Sequence, residues 1–473
     1  MKIKNLGVAV IMVFWAWKSM AAIHYVVPPG TVGVTPADPY TNWATAGTSI
    51  IDVVNAAATS SAPRLVWVTN GVYYPTNVIN VSAKLTLQSV NGRDATILNG
   101  NKEVNTNRCA LFSVSASIFD GFTVTNYVVT NGHGVIYGAD NLSVFNCLFV
   151  GNSSRVKITG TGSGGALYLA KSGVMSNCIF QDNYSDRYGG AIYATSITNL
   201  TIAGCRFEGN RCDYYGGGGF ALEGNNCTVS NCTIINNACI GTIAGHGGGG
   251  GYLTGTNNKI LNCSITGNVV NALGNRTGGG LKCSGEATIR DCSIIGNVCS
   301  NKGGGVQGDV LAIRNCLIAL NQATTNIGGG VYLTNGIVES CTIVGNYAAV
   351  AGGGVYIDGS GSGTNNIIYF NMAGVSASNF TNTAGNTGLN YSCVIPAVDG
   401  MGNITNNPVL KNLAGGDYRL RMTSPCVNTG TNQSWMTGAA DLEGNPRILK
   451  TIVDMGAYET RIWQGTIFSV HGR

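Results

Sequence analysis

The chain has 473 residues and only 10% charged positions, with Lys+Arg 27 against Asp+Glu 22. An average soluble domain carries roughly 25% charge, so a solvated helical bundle is excluded. Glycine supplies 69 residues while apolar residues reach 44%, enough to bury a core, which excludes a disordered or collagen-like chain.

The first 22 residues read as a secretory signal. Lys2 and Lys4 precede an apolar stretch from Leu6 to Trp17, and Ser19, Met20, Ala21 and Ala22 offer a small-residue cleavage site. That stretch falls short of the roughly 20 residues needed to span a bilayer, so export to the cell surface or the medium is expected, with no transmembrane segment in the mature chain. Without Lys2, Lys4 and Lys18 the mature chain holds 24 basic against 22 acidic residues, too even a balance for a nucleic-acid face. An N-terminal strand and a capping helix are expected within residues 23–62. Thr48 to Ala58 places Ile50, Ile51, Val54, Ala57 and Ala58 on one helical face, with Asp52 and Asn55 toward water.

Residues 63–400 are expected to form stacked coils. Between Leu65 and Tyr127 the coils are degenerate but still alternate. From there on the sequence repeats C-x-[I/F]-x-x-N, beginning at Cys147, Cys178, Cys205, Cys232, Cys263, Cys292, Cys316 and Cys341, with successive spacings of 31, 27, 27, 31, 29, 24 and 25. The Asn partners run from Asn152 to Asn346, and a further copy has Asn366 in place of Cys, followed by Ile368 and Asn371. Each period also carries a glycine cluster followed by alternating apolar residues, as in Gly189 to Tyr193, and an apolar residue three places before the Cys. Three short strands per period follow from this pattern. A unit of about 25 residues cannot hide its apolar face alone, but stacking in parallel register gives every strand a neighbour. Asn before several of the cysteines fits a left-handed bend. The expected fold is all-β: a right-handed parallel β-helix with an N-terminal capping helix and a C-terminal cap over residues 401–473.

The GGAIY and CRFEGN segments, clearest at Gly189 to Tyr193 and Phe207 to Asn210, resemble the GGAI and FxxN repeats of polymorphic outer-membrane proteins, within the secreted pectin-lyase-like β-helix group. NPVL, GGDYRL, SPCVNTG, DLEGNPRI and VDMGAYE, between Asn407 and Glu459, resemble the choice-of-anchor Q domain of bacterial surface proteins. The resemblance implies an exported β-helix and no single activity.

Sixteen cysteines in an exported chain invite a disulfide reading. Stacked positions point their side chains in parallel, however, so the ladder cysteines, and Cys212, Cys239 and Cys299 at a second repeat position, are expected as buried thiols. Cys393 and Cys426 lie outside the ladder and are the candidate disulfide.

Chemical motifs are sparse. Gly160, Gly162 and Gly165 match GxGxxG without a following helix, and His24, His133, His246 and His471 are scattered along the chain. One constellation follows from the repeat register: the links Tyr184 to Tyr188 and Arg211 to Tyr215 align without a gap, stacking Asp186 on Asp213 and Tyr188 on Tyr215. Two close carboxylates are the candidate catalytic pair of a retaining glycosidase. With Asp182 and Glu208 they are the candidate Ca²⁺ ligands of a polysaccharide lyase, Ca²⁺ being the one cofactor the sequence suggests. Arg187 and Arg211 offer the alternative of plain ion pairing. Links of uneven length, Ser153 to Ser163, Ala238 to His246 and Val269 to Thr277, mark one side as a binding face. Tyr168, Tyr193, Tyr252, Tyr332 and Tyr356 follow the glycine corner there as an expected exposed row for stacking on sugar rings, with Tyr188 and Tyr215 beside them. The expected function is a surface binding or adhesion module whose partner is a polysaccharide or cell-surface glycan; the alternatives are a polysaccharide lyase or glycoside hydrolase, and a structural envelope fibre.

Overall fold

The computed structural model describes residues 21–101, 106–130, 132–155, 162–240, 246–270, 276–376, 379–385, 388–449 and 451–461. Residues 1–20 of the expected signal, Gly160 and His471 lie outside them, as do 156–161, 241–245 and 271–275 of the long links. The described strands form a parallel solenoid with three faces: a 22-stranded first sheet, a 13-stranded second sheet and a 10-stranded third sheet of two-residue strands.

The chain bends because the repeat supplies residues that accept positive φ. The residue before each ladder Cys is left-handed, as at Asn146 (φ 51°), Asn177 (φ 54°), Asn231 (φ 52°) and Asn315 (φ 51°), and so is the residue before each ladder Asn, as at Asp182 (φ 51°) and Asn236 (φ 54°). Asn and Asp tolerate this region better than other side chains do. Between the two bends lies a second-sheet strand, and after them a short third-sheet strand. A glycine then turns the chain into the first sheet. At Gly217 (φ 75°) a β-carbon would collide with the Phe220 carbonyl, so no other residue fits. The sequence pattern suggests two short first-sheet strands per coil, but from Gly251–Leu261 onward several of these pairs fuse into one long strand across a bulge.

The interior stacks like with like. Phe149, Phe180 and Phe207 lie face to face with ring centroids 5.0 Å apart, one per coil. Asn152, Asn183, Asn210, Asn237, Asn268, Asn297, Asn321, Asn346 and Asn371 form a buried amide ladder at the bend between the second and third sheets. Each Oδ1 from Asn183 onward accepts the backbone N–H and the Nδ2 of the preceding ladder Asn, as Asn237 does from Asn210 at 3.0 and 2.9 Å. All sixteen cysteines are buried and free of disulfides. Ladder sulfurs donate to the carbonyl two residues earlier, as Cys147 does to Phe145 at 3.0 Å, so they act as small apolar residues with one local bond.

The N-terminal end is covered by helix α1, Ile50–Thr59, capped by the Ser49 hydroxyl. It buries Ile50, Val53, Val54 and Ala57; Val53 takes the place expected for Ile51, which is half-buried. The C-terminal region carries an antiparallel pair, Leu410–Asn412 with Asp417–Leu420. It packs along the outer side of the second sheet, Leu410, Tyr418, Leu420, Cys426 and Met455 lying on Leu317, Val344, Ile367 and Cys393. Cys393 and Cys426 meet in this cluster, but as thiols rather than the expected disulfide, the Cys393 thiol being pushed up by its bond to Cys426 and by burial.

Candidate functional site

Side chains alternate across a strand, so when Ile136, Leu167, Ile192 and Phe220 point into the core, the next residue points out. Register therefore aligns Tyr137, Tyr168, Tyr193, Ala221, Tyr252 and Lys282 in one outward column of the first sheet. These tyrosines pack in a cluster of their own, separate from the solenoid core.

The expected exposed row takes a different form. Tyr168, Tyr193 and Tyr252 are each 8% exposed and Tyr332 is 6% exposed, because groups from the links before the glycine corner fold over them. His133 lies flat on Tyr168 at 4.3 Å, and Tyr188 lies flat on Tyr193 at 5.0 Å and on Tyr215 at 4.5 Å. His246 meets the Tyr215 ring edge-on at 4.9 Å. The result is a floor of buried rings with a half-buried rim of Tyr137, Tyr188, Tyr215, His133 and His246. Lys282 and Gln307 interrupt the column, so Tyr332 and Tyr356 form a second, separate stack with centroids 5.9 Å apart.

Polar groups edge this floor. Glu223 accepts from the Tyr193 hydroxyl at 2.7 Å and from Thr195 at 3.3 Å. Arg108 sits over Tyr137 at 5.0 Å, Arg187 over Tyr215 at 4.7 Å and Lys302 over Tyr332 at 4.5 Å. The Nδ1 atoms of His133 and His246 are buried without a hydrogen-bond partner. Burial, then Arg108 and Arg187, pushes the His133 imidazole down to about 4; burial, then Lys282 and Arg276, lowers that of His246. Both are therefore neutral at physiological pH, each able to give or take a hydrogen bond. Burial, then Glu223, raises the phenols of Tyr188 and Tyr193 out of the titrating range, so the rings stay uncharged.

The aspartate pair lies just outside this face. Backbone bonds from Asp213 to Ser185 and from Tyr214 to Asp186 stack the two links directly. The Tyr184 hydroxyl lies between the carboxylates, 2.7 Å from Asp186 Oδ1 and 2.6 Å from Asp213 Oδ2. Burial, then these two bonds, raises the Tyr184 phenol far above its ordinary value. Arg211 Nε pairs with Asp213 at 2.9 Å. The carboxylates thus come close enough for the roughly 5 Å spacing of a retaining pair, but a phenol fills the space between them. Asp182 and Glu208 stay at the end of their second-sheet strands, Glu208 paired with Arg206 at 2.9 Å. Among the described residues no three His, Cys, Asp or Glu side chains converge as a metal-ligating group, so the expected Ca²⁺ set of Asp182, Asp186, Glu208 and Asp213 does not assemble. They separate because Glu208 ends a second-sheet strand and Asp182 lies in the bend just after one, whereas Asp186 and Asp213 belong to the link after the third sheet.

Residues 87–265 match a family model described as "Right handed beta helix region". The chain is a right-handed parallel β-helix. No curated protein matches the chain. Solved structures similar to this β-helix include the pectate lyase Pel9A, at 14% identity and TM-score 0.34 over 93% of this chain and 96% of that one. Another is the catalytic unit of a GH87 alpha-1,3-glucanase from Streptomyces thermodiastaticus, at 14% identity and TM-score 0.38 over 71% of this chain and 67% of that one. A third is a PL6 family polysaccharide lyase from Pseudopedobacter saltans, at 13% identity and TM-score 0.40 over 73% of this chain and 77% of that one.

Proposed function

We propose that the protein is an exported, surface-associated β-helix that binds glycans along the outer face of its first sheet, with its C-terminal region serving attachment. The observation that carries the reading is the aromatic floor outside the core, edged by Glu223, Arg187 and two imidazoles whose Nδ1 atoms lack partners. Sugar rings present apolar C–H faces and hydroxyl edges, and this surface offers ring faces and hydrogen-bonding edges in the same geometry. The Asp186 and Asp213 pair favours a second reading as a glycoside hydrolase or polysaccharide lyase. Against it stand the Tyr184 hydroxyl between the carboxylates and the Arg211 pairing.

Incubating the protein with a panel of polysaccharides, with and without Ca²⁺, separates the two. Binding without new reducing or unsaturated ends is expected, and Tyr188→Ala should weaken it about tenfold or more, as for an interface aromatic worth roughly 2 kcal/mol. Product release that disappears in Asp186→Asn would replace the binding reading with the enzymatic one.

A further inference from the structure

Arg276 is fully buried. Its Nη2 donates to the Tyr214 carbonyl, and its Nη1 donates to the Tyr215 carbonyl at 3.4 Å and to Cys239 Sγ at 2.7 Å, while Nε has no partner. Among the described residues no carboxylate forms an ion pair with it; the nearby Asp213 is paired with Arg211. A guanidinium does not lose its proton in a protein, and a buried charge without a counter-ion is strongly disfavoured. Among the described residues the one ionisable side chain hydrogen-bonded to Arg276 is Cys239.

We propose that Cys239 is a thiolate in the folded protein, held as the counter-ion of Arg276. Cys212 lies directly beside it in the third sheet, register-paired with it, and is placed to donate its S–H to the anion. The Tyr215 carbonyl, 3.5 Å from the sulfur, is the acceptor that a neutral Cys239 thiol would use, and it already receives Arg276. The groups whose charges act on the sulfur are Cys212, Arg276, Asp213 and Lys282. Donation from Cys212 first, and then Arg276, hold Cys239 below the usual thiol range against burial, while Asp213 opposes them. Ladder sulfurs donate to the carbonyl two residues earlier, as Cys232 does to Ser230 at 3.1 Å and Cys316 to Arg314 at 3.1 Å. The inference does not depend on what the aromatic face binds.

The test uses the whole folded protein at about two pH units below the ordinary thiol value of roughly 8.5. The ultraviolet thiolate band of wild type should exceed that of Cys239→Ser by one thiolate, and Arg276→Met should lose the same band. In alkylation by iodoacetamide the sulfur forms the S–C bond, iodide leaves with the C–I electron pair, and no proton moves because the sulfur is already ionised. Cys239 should label at a rate flat with pH in wild type and rising about tenfold per pH unit in Arg276→Met. Equal thiolate bands in wild type and Cys239→Ser would overturn the proposal, and this comparison needs neither access of the reagent nor the Arg276 variant. Wild-type labelling of Cys239 that climbs about tenfold per pH unit would also overturn it.

Discussion

Replacing Asn237 with alanine should destabilise the protein by about 4 kcal/mol. Asn237 is fully buried at the middle of the amide ladder. Its Oδ1 accepts the Asn210 N–H at 3.0 Å and Asn210 Nδ2 at 2.9 Å, and its Nδ2 donates to the Phe207 carbonyl at 3.0 Å and to Asn268 Oδ1 at 3.0 Å. Alanine leaves the Asn210 N–H without an acceptor in a site that water does not reach, at roughly 1–3 kcal/mol. It also removes four further bonds, three of them, including one to the Ile235 carbonyl at 3.1 Å, sharing the two Nδ2 protons, worth about 3 kcal/mol together, while a void opens beside Phe207. Asn262 at the outer bend is the matched control. Its amide is exposed, it bonds Asn231 only at the surface, and Asn262→Ala should cost no more than about 1 kcal/mol for the left-handed backbone. Chemical denaturation of the two variants measures the difference directly. Equal costs would mean that the interior ladder contributes nothing beyond the bend.

Arg447→Met should loosen the C-terminal region by about 3–5 kcal/mol. Arg447 is fully buried, 3.3 Å from Glu459 Oε1, and reaches Asn315 Oδ1 of the solenoid at 3.5 Å. Asp441, Asp454 and Glu459 surround it, all buried. Asp441 is held by the N–H groups of Glu443, Asn445 and Glu459 and by the Asn445 amide, and Asp454 by the N–H groups of Asn428 and Thr460. Removing this buried cation leaves a cluster of buried acids facing one another. Burial, opposed by Arg447, raises the Glu459 carboxyl from 4.5 to about 8, and burial raises Asp454 as well. A carboxyl raised in the folded state binds a proton more readily than in the unfolded state, so its contribution is complete below about 4.5 and is lost as pH climbs through about 8. Docking of this region should therefore weaken between those limits. Hydrogen exchange of the 426–459 segment against pH follows this, and a profile that tightens with rising pH would contradict it.

Much of the fold was legible because the period itself is a physical statement. A Cys followed five residues later by Asn, eight times over, fixes which residues stack, and the bends fall where Asn, Asp, Gly or, before Cys341, Ser precedes that Cys. Stacking of Asp186 on Asp213 and of Tyr188 on Tyr215 followed from links of equal length. The environment of the face was less legible. Tyr168, Tyr193 and Tyr252 alternate outward as the strand period requires, but alternation says nothing about link side chains that fold back over a strand. The histidines looked scattered along the chain, yet His133 and His246 stand one and two residues ahead of left-handed glycines at Gly134 and Gly248, as Tyr188 and Tyr215 do ahead of Gly189 and Gly217. That spacing was present in the sequence and identifies the rim. Tyr184, which separates the two aspartates, was hidden for another reason: its role depends on the direction of its side chain rather than on its register.

A crystal structure of the protein with a bound oligosaccharide, chosen from the glycans retained in the binding panel, tests the central claim most directly. The account predicts sugar rings lying against the rim of Tyr188, Tyr215 and Tyr137, with hydroxyl groups within hydrogen-bond distance of Glu223 or the free imidazole nitrogens of His133 and His246. A sugar held elsewhere, with the aromatic face bare, would contradict it.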